Sequence, residues 1–256
     1  MKYSIGATAD IGVDREYQED FVQFKELDEN NILCVIADGT CSRPQVPQPA
    51  AIVSMTIIEQ IESLFEENKH LLLSYPEYFL KRSMLDANRI LGAFKMGNEE
   101  IYSGFAASVT CCLFTQDNQF FTAHTGNTRL YVIRKGKLIQ LTKDHTKAAE
   151  LLNEGKIDIE TYHVHPDRLN VTGGIGVVDK PKIQTFGGSL KPSDLFLMTT
   201  DGIHYAIQPD AITEIVLNST DCVSASATLI DAAKNIVKYP DNMSAILVHE
   251  INSQVN

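Results

Sequence analysis

The stretch AASVTCCLFTQDNQFFTAHTGNTRLYVIRKGKLIQLT, residues 106–142, decides how the chain folds. Aliphatic, aromatic and β-branched residues crowd four short runs, at 107–114, 119–124, 129–134 and 137–141. The gaps between them carry turn chemistry: Gln116-Asp117-Asn118, Gly126-Asn127 and Lys135-Gly136. Gly and Asn tolerate the backbone of tight hairpins, so the pattern predicts four successive strands in an antiparallel meander, with a hairpin at Gly126-Asn127.

Upstream, Phe21 to Phe24 is a short β-type run, and Ile32-Leu33-Cys34-Val35-Ile36-Ala37 predicts a buried strand ending in a turn at Asp38-Gly39. Three prolines follow in 44–49, after which Ile52, Met55, Ile58, Ile61 and Phe65 recur at helical spacing and predict a helix to about Asn68. Phe79, Leu80, Met84, Ala87, Ile90, Leu91 and Phe94 predict a second helix over 77–95. Downstream come a polar helical stretch at 146–155 and a glycine-rich, weakly patterned region to 189. A strand at 195–200 then runs into Asp201-Gly202, helices follow at 209–217 and about 223–238, and the last strand is 244–249. Strands come in hairpins and helices in pairs, which is an α+β layout with antiparallel sheets rather than a doubly wound one.

The chain has 256 residues, 44% of them hydrophobic, enough for a sizeable core, and no linker or repeat divides it, so one domain spanning 1–256 is expected. A net charge of −11 argues against nucleic acid or an anionic membrane as the main partner, since both reward clustered Lys and Arg. No run reaches the ~20 apolar residues of a membrane span. Met1-Lys2-Tyr3-Ser4 is not the basic-then-apolar start of a secretory leader, and the chain reads as cytoplasmic. Cys34, Cys41, Cys111, Cys112 and Cys222 are odd in number and lack a Cys-x-x-Cys spacing, so buried thiols are expected, without zinc or disulfides. Among the histidines only His163 and His165 lie close together, in what reads as a solvated loop.

Four acidic signals remain: Arg15-Glu16-Tyr17-Gln18-Glu19-Asp20, Asp38-Gly39, Asp201-Gly202 and Asp241-Asn242. Singly, each reads as a turn. As a set they place carboxylates at the ends of buried strands. Carboxylates held together repel and raise one another's pKa unless a cation lies between them, and Mg2+ or Mn2+ suits such an all-oxygen site. Spacing alone does not bring position 38 to position 201.

The order and wording of these motifs resemble the metal-dependent Ser/Thr protein phosphatases of type 2C, in particular their compact bacterial members. The segments that carry the resemblance are TADIGVDREYQEDF (8–21), LCVIADG (33–39), AHTGNTRLYVIRKGKLIQLTKDHT (123–146), HPDRLNVTGGIG (165–176), LKPSDLFLMTTDGI (190–203) and DNMSAILV (241–248), and they run over almost the whole chain. The resemblance implies a four-layer α-β-β-α sandwich, two antiparallel sheets flanked by helices, with a metal site at one edge. It implies two Mn2+ or Mg2+ ions: Asp38 bridging them, Gly39 lending its carbonyl, Glu19 serving the second, Asp201 and Asp241 holding the first, with Asp20 and Asn242 in the surrounding shell. Arg15 would bind the substrate phosphate, and Arg15 and Asp38 are the catalytic candidates. The implied reaction is hydrolysis of phosphoserine or phosphothreonine in proteins by a water activated between the ions, with a flap at about 146–175 shaping specificity. The partners would be substrates of a Ser/Thr kinase, and the protein a monomer.

The chain also departs from the family pattern. Thr40-Cys41-Ser42-Arg43-Pro44 stands where the family continues with glycines, and Ala106-Ala107-Ser108 where Gly-Thr-Thr is common. Asn127 replaces the Asp of the Gly-Asp-Ser-Arg turn, which with Asp201 would hold a third ion, so that position is expected to be weak or empty. Two rivals keep the same motifs in view: a pseudophosphatase acting as a binding module, and a phosphoprotein-binding scaffold whose acids are only turns.

Overall fold

The computed structural model describes residues 2–41, 48–98, 100–236 and 241–250. Among the described residues ten strands make two antiparallel sheets. The first sheet contains β2 (Asp20–Glu26), β3 (Ile32–Thr40), β4 (Ala106–Thr115), β5 (Gln119–Thr125) and β8 (Gln184–Ser189), in that spatial order. The second runs β1 (Tyr3–Asp10), β10 (Met243–Glu250), β9 (Leu195–Thr199), β6 (Arg129–Arg134) and β7 (Lys137–Gln140).

The aliphatic runs are continuous because the central strands are covered on both faces. In β3, Ile32, Cys34 and Ile36 pack against the other sheet with Phe196, Met198, Ile246 and Val248. Leu33, Val35 and Ala37 point the other way, into α1 (Pro49–Ser74) and α2 (Pro76–Lys95). On the far side Leu197, Ala245 and Leu247 meet α6 (Pro209–Asn218) and α7 (Cys222–Lys234). The result is the α-β-β-α sandwich expected from the resemblance. Four of the five cysteines, Cys34, Cys111, Cys112 and Cys222, are buried free thiols.

Helix α1 leaves helical geometry at Asn68 (φ −154°, ψ 71°), where the expected helix ends. It resumes at once, with the Asn68 side chain accepting from the Leu71 amide at 3.0 Å. The expected end of the last helix, at 237–238, and the loop departures at 42–44 lie outside the described residues.

Several expectations are corrected. The meander is split between the sheets: β4 and β5 pair in one, β6 and β7 in the other. Residues 126–128 therefore form a crossing, not a hairpin. Gly126 adopts φ 101°, and a Cβ there would lie 2.2 Å from Ser108 Oγ, so the turn is pressed onto β4 rather than opened to solvent. Alternation reports that a run is a strand; it does not report which strand it pairs with. Asp38-Gly39 is likewise no turn, because β3 stays paired through Asp38↔Ser108, Gly39↔Ala107 and Thr40↔Ala106. Two strands, β1 and β8, lack the sequence pattern of the others. Gly187 and Gly188 in β8 lie against Phe121 and Phe120, so side-chain-free positions that suggest a loop serve here to admit aromatic rings. His163 lies in the last turn of a short helix, α4 (Ile159–Val164), which follows α3 (Lys147–Asn153), and His165 caps that helix.

Candidate active site

Register brings the acids to one end of the sandwich. Asp20 opens β2 directly opposite Asp38 on β3. β9 ends at Thr199, and Asp201 begins α5 (Asp201–His204). Asp241 immediately precedes Asn242 and β10, whose Ala245 pairs with Thr199. Gly202 permits this closeness, since a Cβ there would lie 2.1 Å from the Asn242 carbonyl oxygen.

Arg15, Glu19, Asp38, Gly39, Asn127, Asp201, Asp241 and Asn242 all line one cleft of ≈ 570 Å³, so the structure brings together every expected site residue except Asp20, which lies behind it. Asp20 is buried, and its Oδ2 accepts from Thr200 Oγ1 at 2.8 Å and Ser244 Oγ at 2.7 Å. Burial outweighs those two donors and pushes its carboxyl up to about 7. Asn242 ties down the irregular segment before β2: its Oδ1 accepts from the Glu19 amide at 2.7 Å, and its Nδ2 donates to the carbonyls of Ile11 (2.8 Å) and Tyr17 (3.0 Å). That segment carries Arg15 and Glu19.

Burial raises the Asp38 carboxyl well above the carboxylate range, and the charges of Asp201, Asp20, Asp241 and Glu19 add to the shift; among the described residues no hydrogen bond opposes it. Asp201 rises to about 7 through burial and the Asp241 charge, against the donation of Asn127 Nδ2 to its Oδ2 at 3.0 Å. Glu19 and Asp241 are raised by burial, and Arg15 opposes both shifts. Arg15 spans the two: Nη2 lies 2.5 Å from Asp241 Oδ1 and Nη1 3.6 Å from Glu19 Oε2.

Among the described residues no three Asp, Glu, His or Cys side chains close into a metal-binding group. The donor set nevertheless fits a hard divalent cation, because it is all oxygen and each of its acids loses solvation by burial and most gain repulsion from their neighbours. Gly39 sits buried at the cleft wall, its amide donating to the Glu19 carbonyl at 3.1 Å.

Other functional groups were not singled out from sequence. Thr200 and Ser244, which hold Asp20, flank the two acidic motifs and could have been suspected from that adjacency alone. Ser108 donates to Asn127 Oδ1 at 2.8 Å. Arg129 and Asp144 form a buried ion pair at 2.6 Å, joined by the Tyr162 hydroxyl, which donates to Asp144 at 2.7 Å. This pair anchors α4 to the sheets. Lys95, at the end of α2, also lines the cleft.

Residues 13–238 match the family model described as protein phosphatase 2C. The chain is 26% identical over 251 residues to the protein phosphatase PhpP of Streptococcus pneumoniae, covering 95% of this chain and 96% of that one. Its fold is similar to that of the S. agalactiae serine/threonine phosphatase, with a TM-score of 0.85 and 22% identity over 97% of this chain and 100% of the other. It is also similar to the catalytic domain of PstP, solved in complex with two manganese ions, with a TM-score of 0.80 and 20% identity over 98% and 99% of the two chains. Among the described residues no helix is long and apolar enough to cross a membrane.

Proposed function

Because the chain belongs to the protein phosphatase 2C family, we propose that its cleft hydrolyses phosphoserine and phosphothreonine in proteins, with two Mn2+ or Mg2+ ions held by Glu19, Asp38, Gly39, Asp201 and Asp241. The observation that carries this reading is Asp38. Its carboxylate lies among four others and accepts no hydrogen bond among the described residues, an arrangement that a cation relieves and a turn does not require. When bound, the ions would polarise the phosphoryl oxygens and lower the pKa of a shared water.

The chain's own side chains supply the rest. Asn242 fixes the segment bearing Arg15, and Arg15 presents a planar fork suited to a phosphate. Two of its partners, Asp241 and Glu19, are proposed ligands, so metal binding would weaken their hold on the guanidinium. Asp20, clasped by Thr200 and Ser244, lies behind Asp38 and fixes the start of β2. In this reading Asn127 and Asp201 make a weak third position, residues 1–256 are one catalytic unit, and 146–175 is its flap. The substrates of a cytoplasmic Ser/Thr kinase and a monomeric state belong to the same proposal.

The test is Mn2+-dependent hydrolysis of an aryl phosphate and of a phosphothreonine peptide, with Mn2+ binding followed by calorimetry, for wild type and Asp38→Asn. Turnover lost in the variant supports the phosphatase. Binding without turnover in wild type would make the protein a pseudophosphatase, and neither would overturn the metal site.

A further inference from the structure

The cleft has a second cationic residue, remote in sequence from the acids. Lys95 ends α2, and its ammonium donates to the Gly176 carbonyl rather than to a carboxylate. Among the described residues it has no ion-pair partner, and burial alone lowers its pKa. The other cation that lines the cleft, Arg15, meets the carboxylates of Asp241 and Glu19, whereas Lys95 meets a carbonyl. An ammonium kept half-buried and unneutralised at the wall of a cleft is costly unless an anion visits it.

Its position suggests which anion. Ser108 stands opposite Asp38, and the cleft wall runs from there back along β4 through Ala107 and Ala106 to Gly104 and Lys95. At ~3.3 Å per extended residue, this path is on the order of 10 Å. An extended peptide covers that span in about three residues. The wall between is built of small side chains, which leaves room for a backbone.

Resting on the phosphatase reading, we propose that Lys95 forms a subsite for a second anionic group of the substrate, an acidic side chain or a further phosphate about three residues from the one removed. The end of a helix is also a place where a cation stabilises the carbonyls. That role would not distinguish one peptide from another, so the test measures discrimination.

Peptides carrying a non-hydrolysable phosphonate mimic of phosphothreonine, with Glu, a second phosphate or a neutral residue at each of the three positions on either side, are titrated by fluorescence anisotropy in Mn2+ against wild type, Lys95→Gln and Lys95→Arg. Turnover of matched phosphopeptides is measured in parallel. Wild type should bind at least one anion-flanked series roughly tenfold more tightly than the neutral one, the size of a single charge-assisted hydrogen bond. Lys95→Gln should bring that ratio to about one, and Lys95→Arg should keep it. Comparing Glu with phosphate identifies which anion the subsite takes. Binding indifferent to flanking charge, or Lys95→Gln weakening all peptides by one factor, overturns the subsite whether or not the peptides turn over. Absence of turnover in wild type counts against the phosphatase reading alone.

Discussion

Asn127 donates to Asp201 at 3.0 Å while its own amide oxygen accepts from Ser108 at 2.8 Å. The acid demands a donor, so the amide faces the cleft with its N–H groups and turns its oxygen away. A cation seeking a ligand at this corner meets hydrogen rather than oxygen.

Asn127→Asp should therefore do two opposite things. Without metal, a carboxylate beside Asp201 replaces a hydrogen bond with a repulsion and should cost about 1–3 kcal/mol. With Mn2+ in excess, calorimetry should show a third ion. Equal binding of three ions by wild type would contradict the orientation.

Asp38→Asn removes the charge that four neighbouring acids resist. The metal-free variant should be more stable than wild type by about 1–3 kcal/mol, or several degrees in melting temperature, while losing Mn2+-dependent stabilisation and turnover. A metal-free variant that melts below wild type would show that Asp38 is held by something other than a cation.

Asn242→Ala should release the segment that carries Arg15 and Glu19, since three hydrogen bonds are lost at once. The aryl phosphate KM should rise more than kcat falls. Chemical denaturation should register about 2–3 kcal/mol, because the freed backbone groups are partly solvated.

His124 is buried; its Nε2 donates to the Lys143 carbonyl at 3.1 Å, and its Nδ1 accepts from Thr110 at 2.8 Å. Burial lowers its pKa to about 3. An unfolded histidine titrates near 6.5, so below that pH the unfolded state takes up the proton first and stability falls with pH. The raised carboxyls of Asp20 and Asp201 act in the opposite sense, gaining stability as pH falls from about 7, so the histidine is read by difference. Relative to His124→Gln, wild type should lose about 2 kcal/mol between pH 7.5 and pH 5. A constant difference would place the His124 proton elsewhere.

The covered strands were legible because burial on both faces writes itself as unbroken aliphatic runs, as in Ile32 to Ala37. The acids were legible as motifs because strand ends are punctuated by Asp-Gly and Asp-Asn. What local pattern does not carry is partnership. The crossing at Gly126 looks like a hairpin because both need a compact polar turn; the difference lies in contacts with β9 and β8, residues far along the chain. β1 hid in small residues such as Gly6, where a Cβ would lie 1.9 Å from the Cys222 carbonyl oxygen, so packing against α7 selected against the bulk that marks a strand. Lys95 carries no signal in the sequence because a lysine at a helix end has an ordinary explanation, and only the cleft gives it another.

The place of β10 in the second sheet sets a schedule for synthesis. It is the strand that joins β1 to β9, and Asp241 immediately precedes Asn242 and Met243 at its start. A chain emerging from the ribosome can assemble the first sheet with its helices once β8 has appeared. It can neither join β1 to β9 nor gather the acids until residues up to about 250 are free. Since domains fold as their strands become available, activity would wait until β10 has left the ribosome, and a chain stopped before that strand would be unable to act on phosphoproteins.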